Sequence, residues 1–508
     1  VARYFIFGIL ILIAVSAFAQ SKKKNAQTDS VGMYIANQDY ERAIRHLNSQ
    51  IGENPSTDLL ITRGLIKIEQ EDLHGAISDF RSSLGILEQN DTAYYNMGYA
   101  YYLLGDYDES INYYDSALMV NRENNYYLIA RGDSFLELDN YNLAMKDYRQ
   151  AVNSDSETDL GYYGIAMCHY FSEEYDSAKY YLSFAINIDP FDADYYFQRA
   201  MCKYIGDDQR HAINDLNLAI DIDPEFPEAH LLRAQILIEN ELLEDALSDL
   251  NLAIALDSIN IESLEERGNL LINLGEYNDA VRDFSSVLAL DKDNEIALFN
   301  RGLALLFLDQ PQQAIQDFDK TIRLNGKNET YFAYRALGNL ATGNSESAFA
   351  DFDKALEMNP DNPEIYFKRS ISYFDLERYD EAIQDLRTVF ALDPEYEGLH
   401  IMLAEVYSAL GEDELAMKNY DLSIMFDPEN PENFFKRGIF LYEIDNLNGA
   451  MEDFDYAIQL DGSVPAPYTN RGLLKLEMKD KAGACQDWKK AFQLGSEYAQ
   501  ELLKKNCK

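Results

Sequence analysis

The chain has 508 residues and carries 43 basic against 88 acidic side chains, a balance of −45. Such an acidic excess excludes nucleic-acid binding driven by counterion release, which needs a basic face, and it disfavours adsorption to anionic lipid. With 47% hydrophobic and 26% charged residues the composition is that of a globular chain rather than a disordered one.

In chain order, the first predicted element is residues 1–19, "VARYFIFGILILIAVSAFA". One Arg precedes an apolar run that ends in the small-x-small site Ala17-Phe18-Ala19, the layout of a secretory signal peptide cut before Gln20. An uncleaved membrane anchor is the alternative, but the run is short for a span. Residues 20–23 read as a short linker, and the mature chain is expected to be soluble and exported.

From residue 24 one unit recurs fourteen times. The Ala-apolar doublets of "GAISDF", "HAINDL", "DAVRDF", "QAIQDF" and "GAMEDF" align Ala76, Ala212, Ala280, Ala314 and Ala450 at a spacing of 34 residues or its multiples. Units start at 24, 57, 91, 125, 159, 193, 227, 261, 295, 329, 363, 397, 431 and 465, and the array ends at 494. Twelve residues before the aligned Ala stands a small residue (Gly64, Gly98, Ala166, Ser370, Gly472), with Val31 the exception. Four after it stands a large apolar one (Leu47, Phe80, Tyr114, Phe284, Trp488). Small against large is what two closely packed antiparallel helices require. Pro227, Pro363, Pro431 and Pro465 open first helices, Pro311 opens a second one, and the remaining Pro avoid helix interiors. Residues 495–508 read as an amphipathic helix capping the open end.

This pattern resembles the tetratricopeptide repeat family across nearly the whole array; "AYYNMGYAYYLLGDYDESINYYDSALMVN", Ala93 to Asn121, is similar to a near-consensus copy. The resemblance implies an all-α fold, a right-handed solenoid of about fourteen helix-turn-helix repeats. The first helices would line its concave face, and the role would be that of a binding scaffold rather than an enzyme.

Arg occupies the seventh place of ten units, and each of those units has Asp at its twenty-third place: Arg63 with Asp79, Arg131 with Asp147, Arg199 with Asp215, Arg437 with Asp453, and the pairs at 233/249, 267/283, 301/317, 335/351, 369/385 and 471/487. The four units without the Arg (Ser30, Met97, Ile165, Leu403) also lack the Asp. Gain and loss in phase with the unit predict an ion pair between its own two helices, a framework element rather than a site.

No catalytic constellation is apparent. The six His share no ligand spacing, acidic turns such as "LDKDNE" lack the Gly of a calcium loop, and no phosphate-cradling Gly run occurs. We therefore expect no cofactor, no metal and no small-molecule substrate. Cys168 and Cys202 fall at equivalent places of neighbouring units, too far apart to bridge, and are expected to be buried thiols. Cys485 and Cys507 are a candidate disulfide between the last repeat and the capping helix.

By resemblance, places two, five, nine, twelve and thirteen of each unit face the concave side. None of these seventy places is Lys, Arg or His, and fifteen are Asp or Glu. Candidate groove residues form one cluster of Tyr95, Tyr99, Tyr102, Tyr163, Met167, Tyr170, Phe171, Phe197, Met201, Tyr204 and Ile205, and another of Phe299, Leu303, Phe307, Phe367 and Phe374. A polar gap at Glu262 and Glu265 lies between them. The absence of cations speaks against the carboxylate-clamp mode of some family members. The expectation is an exported scaffold, in the periplasm or cell envelope of a Gram-negative bacterium, holding apolar, basic segments of other proteins and meeting a membrane only through a partner. The alternative is a structural or self-assembling component of an envelope complex.

Overall fold

The computed structural model describes residues 29–507, so the expected signal peptide, the linker and the opening of the first repeat lie outside the described residues. Those residues form 29 α-helices and no strand, fourteen consecutive pairs and one terminal helix. The helices group into two compact units, one ending at Ser263 and one beginning at Leu264.

Each full pair joins a first helix such as Asp91–Leu103 to a second such as Tyr107–Val120. First helices begin at Thr57, Asp91, Asn125, Asp159, Ala193, Pro227, Ile261, Glu295, Glu329, Pro363, Pro431 and Pro465, the first place of each unit. Leu399–Ala409 starts two residues late because Gly398 adopts a left-handed backbone, φ 80°, which no right-handed helix can include. Side chains at the preceding position satisfy orphan N–H groups: Ser56 accepts from Leu59, Asn90 from Ala93 and Thr158 from Gly161.

The turn inside every pair passes through one left-handed residue at place fifteen. Gly fills it at 105, 275, 343 and 411; elsewhere it is a strained non-glycine such as Asp139, Glu241 or Lys479.

The pair is locked by the small-large contact. All thirteen aligned Ala from Ala43 to Ala484, and Ser110 in the remaining unit, are 0% exposed. The aromatic or Leu side chain four residues later is buried in each unit, from Leu47 to Trp488. There is no room for even a methyl at several of the facing glycines. A Cβ on Gly302 would lie 2.5 Å from Phe318, and one on Gly472 would lie 2.4 Å from Trp488. The terminal helix Glu497–Asn506 closes the open end with Ala499 and Leu502 against Trp488 and Ala491. Tyr498 on the same helix is 56% exposed.

Successive first helices also touch one another in both units, for example Asp91–Leu103 with Thr57–Glu69, and Pro363–Asp375 with Glu329–Ala341. The first-helix side is therefore the inner side of the curve within each unit.

Two glycine substitutions should differ in sign. Gly302→Ala should lower stability by about 1–3 kcal/mol through overpacking against Phe318. Gly85→Ala, exposed in the helix Leu73–Ile86 with nothing within 4 Å, should raise it by about 0.5–1 kcal/mol. Denaturant titration of both variants checks this.

Candidate binding face

The Arg and Asp at places seven and twenty-three meet in all ten units. Nε and Nη2 of each Arg donate to the two oxygens of its Asp at 2.5 to 2.9 Å. This fork geometry is the strongest form of the ion pair, and the Asp side chains are almost wholly enclosed. In Arg437 the hydrogen bond to Asp453 leads the effects that raise the guanidinium pKa, so the guanidinium stays charged.

The sequence pattern did not reveal the third arm. Nη1 reaches place twenty-five of the preceding repeat: Arg437 donates to Asp421 at 2.7 Å, Arg335 to Asp319 at 2.7 Å, Arg233 to Asn217 at 2.7 Å and Arg199 to Ser183 at 3.1 Å. One guanidinium thus ties a hairpin internally and to its neighbour. Lys67, Lys203 and Lys475, one helical turn further on, add a second cation to the same buried Asp.

Two of the units lacking the Arg substitute ring stacking. Tyr113 lies flat on Tyr101 with centroids 5.3 Å apart, and Tyr181 on His169 at 5.3 Å. In a third, His400 faces Asn419 at 3.4 Å.

The candidate groove residues line the first-helix side, but the structure spends many of them on repeat-to-repeat packing. Tyr95, Tyr99 and Met167 are buried, so they offer little surface to a ligand. Place five meets place three of the next repeat: Tyr95 with Tyr127 at 5.0 Å, Tyr163 with Tyr195 at 5.2 Å, Phe299 with Tyr331 at 5.0 Å. Place twelve meets place seventeen of its own unit, as in Tyr102 with Tyr107, Tyr170 with Tyr175 and Phe374 with Tyr379. Phe197 packs on Phe226 and Phe367 on Tyr396. Met201 and Tyr204 are half-buried against one core cluster, and Leu303 against another. What remains open is place thirteen: Phe171 at 51%, Ile205 at 45% and Phe307 at 62% exposure.

The carboxylates on this side are held mainly by neutral donors. Glu137 accepts from the hydroxyls of Tyr102 at 3.1 Å and Tyr107 at 3.3 Å. Glu239 repeats the arrangement with Tyr204 at 2.5 Å and Gln209 at 2.6 Å. Glu262 takes Gln235 Nε2 at 2.9 Å and Glu265 takes Asn294 Nδ2 at 2.7 Å. Ion pairs involve Glu364 with Lys368 and Glu405 with Lys436. Burial raises the pKa of four carboxyls, Glu69, Asp133, Asp192 and Asp194. Burial pushes Asp133 up to about 7 against the opposing hydrogen bond from the Tyr148 hydroxyl. Burial likewise pushes Asp192 up to about 7, and its Oδ2 has no hydrogen-bond partner.

Cys485 and Cys507 form a disulfide across the last repeat and the terminal helix, 22 residues apart in sequence. Cys168 and Cys202 are free and buried, and burial pushes both thiols up to about 12, which leaves them unreactive. Among the described residues no group of three or more His, Cys, Asp or Glu could hold a metal ion. No helix there is long and apolar enough to cross a membrane.

Two tests follow from this geometry. Arg437→Ala and Asp453→Ala should each destabilise by up to about 3–5 kcal/mol, since either leaves a buried partner unpaired, and the double variant should lose less than their sum. Asp421→Ala should cost about 1 kcal/mol or less, because that carboxylate is exposed and its arm alone is lost. For Asp192, the folded pKa near 7 lies above the unfolded value near 3.9, so its contribution is greatest below pH 4 and is lost as pH rises through 7. Asp192→Asn should therefore melt higher than the parent at pH 8 and no higher at pH 4. An equal difference at both pH values would remove Asp192 as the cause.

Comparison with known proteins places these repeats. Residues 92–124, 126–158, 266–329, 352–384 and 373–433 match the tetratricopeptide repeat. A TPR repeat-containing protein of Methanocaldococcus jannaschii is 24% identical over 179 residues, 32% of this chain and 31% of that protein. The match thus spans about a third of the curated relative's length. Among solved structures, the Cut9–Hcn1 hetero-tetramer of the APC/C is 15% identical, with 89% of this chain and 96% of that one covered and a TM-score of 0.38. A tetratricopeptide repeat protein from Parabacteroides merdae is 21% identical over 48% of this chain and 97% of that one, with a TM-score of 0.41. The chain belongs to the tetratricopeptide repeat family.

Proposed function

We propose that the protein is an exported scaffold whose first-helix face holds an apolar, positively charged segment of a partner protein. The family supports a protein-interaction scaffold, one that is typically non-catalytic. One observation carries the finer reading: the seventy places that the resemblance assigns to the inner face hold fifteen carboxylates and no Lys, Arg or His. Carboxylates held by Tyr, Gln and Asn keep their rotamers fixed while their charge stays uncompensated, as at Glu137 and Glu239. A cationic segment gains charge-assisted contacts there, and its capture is faster at low ionic strength. Phe171 and Ile205, exposed on successive repeats, supply apolar contact beside them. Export to the periplasm or envelope is supported by residues 1–19, and a disulfide at the chain's end suits an oxidising compartment.

Peptide libraries of matched hydrophobicity and opposite net charge test the reading. Basic peptides should bind at least about tenfold more tightly than acidic ones, and Phe171→Ala with Ile205→Ala should weaken binding by about tenfold or more. Equal binding of acidic peptides would overturn the charge assignment. Tyr99→Ala is a poor probe, because that ring is buried and its loss would loosen the repeats themselves.

A further inference from the structure

Charge is unevenly spread along the chain. Residues 465–508 hold nine basic and five acidic side chains, a balance of +4 in a chain of −45. No other repeat from residue 57 onward is positive, and residues 397–430 stand at −7. Two of the nine cations are turned inward, since Arg471 and Lys475 both donate to the buried Asp487. Lys479, Lys481, Lys489, Lys490, Lys504 and Lys505 are exposed on the turn, the second helix and the terminal helix. Exposed Phe492 and Tyr498 lie in sequence between the lysine pairs. The Cys485–Cys507 disulfide and the Trp488 cluster hold Lys481–Gln493 and Glu497–Asn506 together, so these lysines are carried on one packed pair of helices.

The complementary surface is on the same kind of chain. Glu137 and Glu239 stand at the same place of repeats three apart, both exposed, each gripped by two neutral donors of the preceding repeat. No cation lies within ion-pair distance of either among the described residues. We propose that the basic terminal repeat of one copy docks on the carboxylate-rich first-helix face around Glu137 and Glu239 of a second copy, joining chains head to tail.

The proposal rests on the reading of that face as one that selects cations, and names a second copy as one occupant. An anionic membrane fits the lysines less well, because the remainder of each molecule would be repelled from it. Repulsion between the acidic bodies is screened beyond about 8–10 Å at physiological salt, whereas charges brought into contact are not. The contact uses different surfaces on the two copies, so each added copy leaves one donor and one acceptor surface open. A chain engaged in this way has its inner face covered, and a basic partner segment must compete with the neighbouring copy.

Sedimentation velocity over a concentration series tests this, at about 50 mM and about 500 mM salt. The parent should associate at the lower salt, and the apparent Kd should weaken by about tenfold or more at the higher. The quadruple reversal K489E/K490E/K504E/K505E and the double reversal E137K/E239K should each be monomeric at the lower salt, with unchanged circular dichroism. Mixed together, the two variants should co-associate in equal numbers, because the native lysines of the double reversal meet the native carboxylates of the quadruple reversal, and the new carboxylates of the one meet the new lysines of the other. A parent that stays monomeric at every concentration, or an oligomer indifferent to both reversals, overturns the proposal. Titrating the quadruple reversal with a basic apolar peptide separates the two readings. Peptide binding without self-association of the parent removes this proposal alone, while loss of both removes the binding face as well.

Discussion

The guanidinium at the seventh place of ten of the fourteen repeats is the constraint on which the remaining structure depends. Its fork closes the hairpin through the buried Asp, and its third nitrogen fastens the hairpin to the one before it. Neither a Lys nor a neutral donor could make all three contacts in one plane. The buried carboxylate in turn draws a second cation inward where Lys stands at the eleventh place. The repeats therefore turn ten Arg and three Lys of the 43 basic residues toward their own interior. The inner face carries carboxylates held by phenols and amides, as at Glu137 and Glu265, and it is the face proposed to meet a partner.

Most of the fold could be read from the sequence because every repeat poses the same packing problem. A place that must be small, facing a place that must be large, returns at a fixed interval and is visible without knowing the structure. The Arg and Asp were legible for a different reason: the units that lack one lack the other, so chemistry and phase agree. The third arm was not legible because its acceptor only has to be a short polar side chain, and Asp421, Asn217 and Ser183 all serve. The left-handed turn residue was hidden in the same way, since Asp139, Glu241 and Lys479 give no glycine signal.

The inner face was the least legible part. Tyr95, Tyr99 and Met167 carry the period of a surface-lining set, yet that same period brings neighbouring first helices into contact, and their side chains are used there. Periodicity identifies which residues share a side of the helix; it does not say how much of that side the next helix covers. Of the candidate apolar residues, the open part is consequently narrower than the sequence implied and sits at the thirteenth place, on Phe171, Ile205 and Phe307. The carboxylates on first helices divide by their donors: Glu137, Glu239, Glu262 and Glu265 meet phenols and amides, whereas Glu364 and Glu405 meet lysines.

The central claim is that recognition occurs on the first helices, through charge that the framework leaves uncompensated. Hydrogen-exchange protection of the full chain, measured with and without a saturating basic apolar peptide, tests it most directly. The account predicts slower exchange in the first helices Asn125–Glu137, Asp159–Phe171, Ala193–Ile205 and Pro227–Glu239, with the second helices between them unchanged. Protection confined to the second helices, or spread evenly over both, would contradict it.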